Sequence, residues 1–220
     1  MGTDNIFHKR KAKSNEHLQR GKPKRQPYDR VLIVCEGNKS EPFYFESLID
    51  DFRLSSANVK IFGKECNSSP DKVLEYAQSM QDKAISENDA FDRVYCVIDK
   101  DSHAHYKTVL EKIKRYPRYS AVNSVPCFEY WVLLHFEYTD SPFVKTGNKS
   151  CCDTVRSRVK EYLPDYEKKD SQLYEKLKSN TNQAIQRAKK AIKASEENNT
   201  DNPSTKIHEL VEYLMLMKPK

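Results

Sequence analysis

The sequence predicts an α/β fold, a mostly parallel β-sheet flanked by helices with a C-terminal helical extension. Three observations predict it. Two short runs of β-branched and apolar residues, Val31-Leu32-Ile33-Val34-Cys35 and Val94-Tyr95-Cys96-Val97-Ile98, read as strands buried on both faces. Around them, apolar residues recur at helical spacing, giving the strand–helix alternation of right-handed parallel units. Beyond about residue 137, strand signals vanish and helical periodicity alone continues.

Taken in order, residues 1–27 lack apolar periodicity and end in Gly21-Lys22-Pro23-Lys24-Arg25-Gln26-Pro27, which predicts a flexible arm. The first strand is expected over 30–35, followed by a helix over 42–52 with Phe43, Phe45, Leu48 and Ile49 on its apolar side. Asn58 to Phe62 reads as a short strand. Ser69-Pro70-Asp71 then opens a helix, with Ser as N-cap, Pro at the first position and an acid in the first turn. Val73, Leu74, Ala77, Met80 and Ala84 keep its period to about 87. A strand over 93–98, a helix over 106–115 and a strand over 119–122 follow, and Pro126 to Phe136 reads as a buried aromatic helix. Helices are expected over 151–162, 168–178 and 182–197, and a last one begins at Asn202-Pro203-Ser204. The organisation is an arm at 1–27, an α/β core at 28–136 and a helical region at 137–220 packed on that core.

Composition bounds the function. The chain is polar, with 32% charged and 37% hydrophobic residues, and no apolar run nears a membrane span of roughly 18 residues. The basic N-terminus has no apolar stretch behind it, so neither a secretory signal nor a membrane is expected. Six cysteines without CxxC spacing point to reduced thiols in a cytoplasmic protein and away from a zinc site. Residues 1–30 hold nine Lys and Arg against three acids, which equals the whole net charge of +6. That segment is either a solubilising tail or an arm that follows nucleic-acid phosphates.

Both main strands end in acid. The first leads into Glu36-Gly37 and the second into Asp99-Lys100-Asp101. Ligands of open parallel sheets collect at the carboxyl ends of strands, where these three carboxylates would share one crevice. Mg²⁺ is held by one or two carboxylates while keeping waters for substrate oxygens, which makes Mg²⁺ (or Mn²⁺) the expected occupant. Such a centre suits phosphodiester chemistry, with Glu36 as ligand or general acid/base. Gly37 permits a close backbone approach or an unusual φ. Lys39, Lys100 and His103 flank the acids as candidate phosphate contacts. Glu129, inside the aromatic segment, either joins the acid cluster or pairs with a cation. His135 and Trp131 read as structural, and no phosphate-binding glycine loop or Ser–His–Asp set is visible.

The segments EGNKSEPFYFESL and VIDKDSH, each after a strand, resemble a Toprim domain, the metal-binding fold of topoisomerases, primases and OLD-type nucleases. With PCFEYWVLLHF and NPSTKIHELVEYL, the blocks spread over about 28–215 resemble the RloB family, related to the AbiL abortive-infection proteins. The resemblance implies a Toprim-like core in a bacterial phage-defence protein, often beside an ATPase partner. It carries Glu36 over as the catalytic Glu, Asp99 and Asp101 as the Mg²⁺ pair, and Glu41 as a second Glu, either a further ligand or a helix N-terminal acid. The expected function is a metal-dependent nuclease, a hydrolase of RNA or DNA phosphodiesters. The alternative is a non-catalytic nucleic-acid-binding or regulatory subunit docking on the ATPase partner, and homo-oligomerisation stays open.

Overall fold

A computed structural model of the chain describes residues 29–55, 59–63, 69–100 and 105–217. The arm expected at 1–27, Cys66, Asp101 and His103 lie outside the described residues. The elements are β1 (Val31–Cys35), α1 (Ser40–Asp51), β2 (Val59–Phe62), α2 (Pro70–Ser86), β3 (Arg93–Asp99), α3 (Tyr106–Ile113) and β4 (Tyr119–Val125). They continue as α4 (Glu129–Leu133), α5 (Cys151–Tyr162), α6 (Leu173–Leu177), a 3₁₀ turn (Lys178–Asn180), α7 (Thr181–Glu197), β5 (Ser204–Thr205) and α8 (Ile207–Leu216). The sheet runs β2-β1-β3-β4-β5, parallel except for β5. This is the predicted α/β class.

Strand alternation divides the core into two. Val31, Ile33 and Cys35 of β1 and Tyr95 and Val97 of β3 face a large core shared with α1, α4 and the C-terminal helices. Leu32, Val34, Val94, Cys96 and Ile98 face a smaller core under α2 and α3. Both faces are covered, which explains why β1 and β3 are continuously apolar. At the centre of the larger core, the Tyr44 ring meets those of Phe45, Phe128, Tyr174 and Trp131 edge-on at 5.4, 5.6, 5.5 and 6.5 Å.

Four expectations are corrected. Phe43 is half-buried and belongs to neither core, and Tyr44, fully buried, takes the inward position. The expected helix over 126–136 is buried throughout its centre, yet α-helical only at Glu129–Leu133. On both sides the amides reach back three residues, Tyr130 N–H to Cys127 C=O and Phe136 N–H to Leu133 C=O, so the ends are tight 3₁₀ turns. The helix expected over 168–178 begins only at Leu173; ahead of it the Gln172 N–H turns to Asp170 Oδ1, while Ser40 Oγ donates to Lys168 C=O and Ser47 Oγ to Ser171 C=O. Finally, Ser204 and Thr205 form a strand instead of opening a helix, and α8 starts at Ile207. The Ser124 and Thr205 hydroxyls bond at 2.9 Å across β4 and β5, and Thr205 Oγ1 accepts the Ile207 N–H. At the start of α2, Ser69 holds the N-cap position without a side-chain hydrogen bond. None of the described helices is long and apolar enough to cross a membrane.

Candidate metal centre

From β1 the chain steps outward to β2 and then returns past β1 to β3 on its other side. The carboxyl ends of β1 and β3 therefore flank the topological switch point, where open sheets form a crevice. Glu36 follows β1, and its N–H donates to Val97 C=O at 2.9 Å, extending the pairing past the strand. Asp99 ends β3, and its N–H donates to Glu36 Oε2 at 3.1 Å. The two strand-end acids are joined through the main chain.

Alternation also sets the face. Asp99 has the parity of Tyr95 and Val97, so it emerges on the side covered by α1 and α4. There α1 supplies Glu41 in its first turn and α4 supplies Glu129 as its first residue, 7% and 1% exposed. Loss of solvent, and then the charges of Glu41, Glu129 and Glu36, push the Asp99 carboxyl well above the usual carboxylate range. Burial raises Glu41 to about 7; its own backbone N–H offsets part of this, and Glu129 and Glu36 add to it. The two first-turn acids gain from the helix N-terminus but repel each other.

Two cations answer the four carboxylates. Glu129 Oε1 lies 3.6 Å from Arg156 Nε and 3.6 Å from Lys168 Nζ, and accepts no hydrogen bond. Lys168 is tied to the start of α1 through the Ser40 hydroxyl on its carbonyl, at 3.1 Å. Partial burial opposes its charge, but Glu129 and Glu41 outweigh that and raise its pKa. Charge balance leaves the cluster negative when all four acids ionise.

Gly37 contributes by what it lacks. A Cβ there would fall 2.0 Å from Glu41 Oε2, so the missing side chain makes room for that carboxylate. Of the two roles expected for Gly37, close approach is the one used, since its φ is not positive. A Cβ on Gly63 would meet Pro42 Cγ at 2.4 Å and Gly37 C=O at 2.7 Å, so β2 holds the acid loop just as closely.

Among the described residues, no three Asp, Glu, His or Cys side chains stand in a metal-holding arrangement as they lie. Donor chemistry nonetheless fits a hard divalent cation. Glu36, Glu41, Asp99 and Glu129 offer carboxylate oxygen, and ionisation of Glu41 and Asp99 is opposed by burial and mutual repulsion that a cation would relieve.

The other expected residues are scattered. Lys39 is half-buried at the N-cap of α1. Lys100 Nζ is engaged by both Asp201 carboxylate oxygens at 2.7 Å. His135 and Trp131 are buried. Nδ1 of His135 donates to Trp131 C=O at 2.9 Å, and burial lowers its pKa to about 4, so the ring is a neutral core group. Glu129, left between two roles by the sequence, takes both, since it pairs with cations and its charge bears on Asp99 and Glu41.

A model of the RloB-like protein family matches residues 31–214. The chain belongs to this family. No curated protein and no solved structure matches it. In this RloB-like chain the matched span runs from the first residue of β1 to within α8, so it takes in the C-terminal helices as well as the sheet. Lys168 and Arg156 are the site residues that sequence reasoning missed. Arg156 sits on an ordinary charged helix, and Lys168 lies in the polar tract Pro164 to Asp170, where no periodicity marks one lysine over another.

Proposed function

We propose that this RloB-like protein is a metal-dependent nuclease that cleaves nucleic-acid phosphodiesters. The observation that carries the reading is the meeting of Glu36, Glu41, Asp99 and Glu129 at the switch point, where burial and neighbouring acids push the Asp99 and Glu41 carboxyls above the usual carboxylate range. Glu36, Asp99 and Glu41 would hold Mg²⁺ or Mn²⁺, with Asp101, outside the described residues, as the further ligand the resemblance implies. The ion would supply charge stabilisation at the phosphoryl oxygens. Glu129, ion-paired with Arg156 and Lys168, supports the ligand set, and Lys168 brings a half-exposed cation to its rim. Glu36 is the candidate proton acceptor, because it already sits on the main chain beside Asp99.

The Toprim assignment, the role in phage defence, the ATPase partner and the cytoplasmic setting rest on the family resemblance and on thiol usage; Cys127, Cys151 and Cys152 are free thiols. The test is incubation of wild type and Asp99→Asn with tRNA, single-stranded DNA and duplex DNA in Mg²⁺ or Mn²⁺. Cleavage lost in the variant, with an unchanged circular dichroism spectrum, is the expected result. Binding without cleavage in both proteins contradicts the nuclease reading and leaves a docking subunit.

A further inference from the structure

The sequence pattern places Phe43 in the core, yet its ring joins neither core and makes no ring–ring contact among the described residues. It is half-buried and lines a concavity of about 310 Å³ with Asn38, Lys39 and Lys169. Every lining residue lies within three positions, along the chain, of an acid of the cluster or of Lys168. Asn38 and Lys39 lie in the loop between Glu36 and Glu41, Phe43 is in the first turns of α1, and Lys169 follows Lys168. Lys39, the N-cap of α1, precedes Phe43 by four residues and accepts the Phe43 N–H on its C=O at 3.0 Å, which keeps the two at the same end of the helix. Lys169 is exposed, and among the described residues neither it nor Lys39 has an ion-pair partner.

We propose that this concavity is a nucleotide subsite for single-stranded nucleic acid, in which an unpaired base stacks on Phe43 and the adjoining phosphates lie on Lys39 and Lys169. An aromatic face flanked by cations is the combination that holds single strands without reading sequence, because every base has a π-face and every nucleotide a phosphate. The volume is near the lower end of small-ligand sites, roughly 300–1,000 Å³, which suits one nucleotide and not a helical turn of duplex. A stacked duplex keeps its base faces covered and cannot present one to Phe43. The inference rests on the nuclease reading of the neighbouring acids, and it narrows the substrate to strands with unpaired bases, RNA or DNA.

The test is binding of short fluorescent oligouridine, oligodeoxythymidine and a DNA duplex to the full chain in EDTA, where no metal-dependent cleavage occurs. Phe43→Ala is expected to weaken single-strand binding about tenfold and to leave duplex binding unchanged. Lys39→Ala and Lys169→Ala are each expected to reduce the slope of log affinity against log salt by about 0.7. Phe43→Trp is expected to show fluorescence quenching on adding the single strand, against the buried Trp131 as a constant background. Because Phe43 lies outside both cores, its variants should melt with the wild type. Unchanged single-strand affinity in Phe43→Ala with no quenching in Phe43→Trp would overturn the subsite, as would failure of the wild type to bind either strand. A Phe43 effect in a chain that cleaves nothing in Mg²⁺ would keep the subsite and discard the nuclease.

Discussion

The Asp99 backbone N–H donates to the Glu36 carboxylate across 3.1 Å, so the acid after β1 is oriented by the last residue of β3. Glu36→Gln keeps an acceptor oxygen for that bond and removes only the charge. It should leave the fold intact and weaken Mg²⁺ or Mn²⁺ binding by at least about 10- to 100-fold, the cost of losing even an outer-shell partner of a metal site. Calorimetric titration checks this, and Glu36→Ala, which also unties the bond, should lose more.

Glu41 makes the metal-free protein sensitive to base. Its carboxyl has a folded pKa of about 7 against an unfolded value of 4.5, so between those pH values the unfolded chain releases a proton that the folded chain keeps. Its contribution to stability is therefore fully present below the lower value and is lost as pH rises through the higher one. The loss is on the order of 3 kcal/mol once both states are ionised. Melting in EDTA should fall from about pH 5 to about pH 8, and Glu41→Gln should flatten that slope. Added Mg²⁺ should restore stability most at the higher pH, and binding should release protons below about pH 7, where Glu41 still holds one.

Gly37→Ala tests the space left for Glu41. The new Cβ would lie 2.0 Å from Glu41 Oε2, and the carboxylate must move away. Metal affinity and cleavage should fall by tenfold or more, while thermal stability stays near wild type because the displaced group is the end of a side chain. Gly63→Ala meets backbone as well, at Gly37 C=O, so it should lower both.

Lys168 offsets the acids from a segment far along the chain. Lys168→Met leaves Glu129 to Arg156 alone and removes a charge that opposes the rise in the Glu41 pKa. For a half-exposed lysine, the expected destabilisation is about 1–2 kcal/mol at about pH 8 and less at about pH 5, where Glu41 and Asp99 hold their protons. Paired melts of wild type and variant at the two pH values measure it.

What the sequence conveyed follows from the range of the forces involved. β1 and β3 are legible because burial on both faces demands unbroken apolar runs, and their ends mark Glu36 and Asp99 directly. The three successive aromatics Phe43-Tyr44-Phe45 defeat periodicity; the choice of Tyr44 as the inward ring comes from Phe128, Trp131 and Tyr174, which arrive from distant segments. β5 carries no apolar signal, since Ser204 and Thr205 are held by hydroxyl and backbone bonds to β4. Lys168 reaches the acids through a contact with Ser40 that spans 128 residues, which no local pattern encodes.

The most direct measurement is calorimetric titration of Mg²⁺ or Mn²⁺ into wild type and Asp99→Asn at about pH 6, where Glu41 still largely holds its proton. Saturable binding in wild type, accompanied by proton release and abolished in the variant, is the predicted result. Equal binding by both proteins, or none by wild type, would contradict a metal centre at the carboxyl ends of β1 and β3.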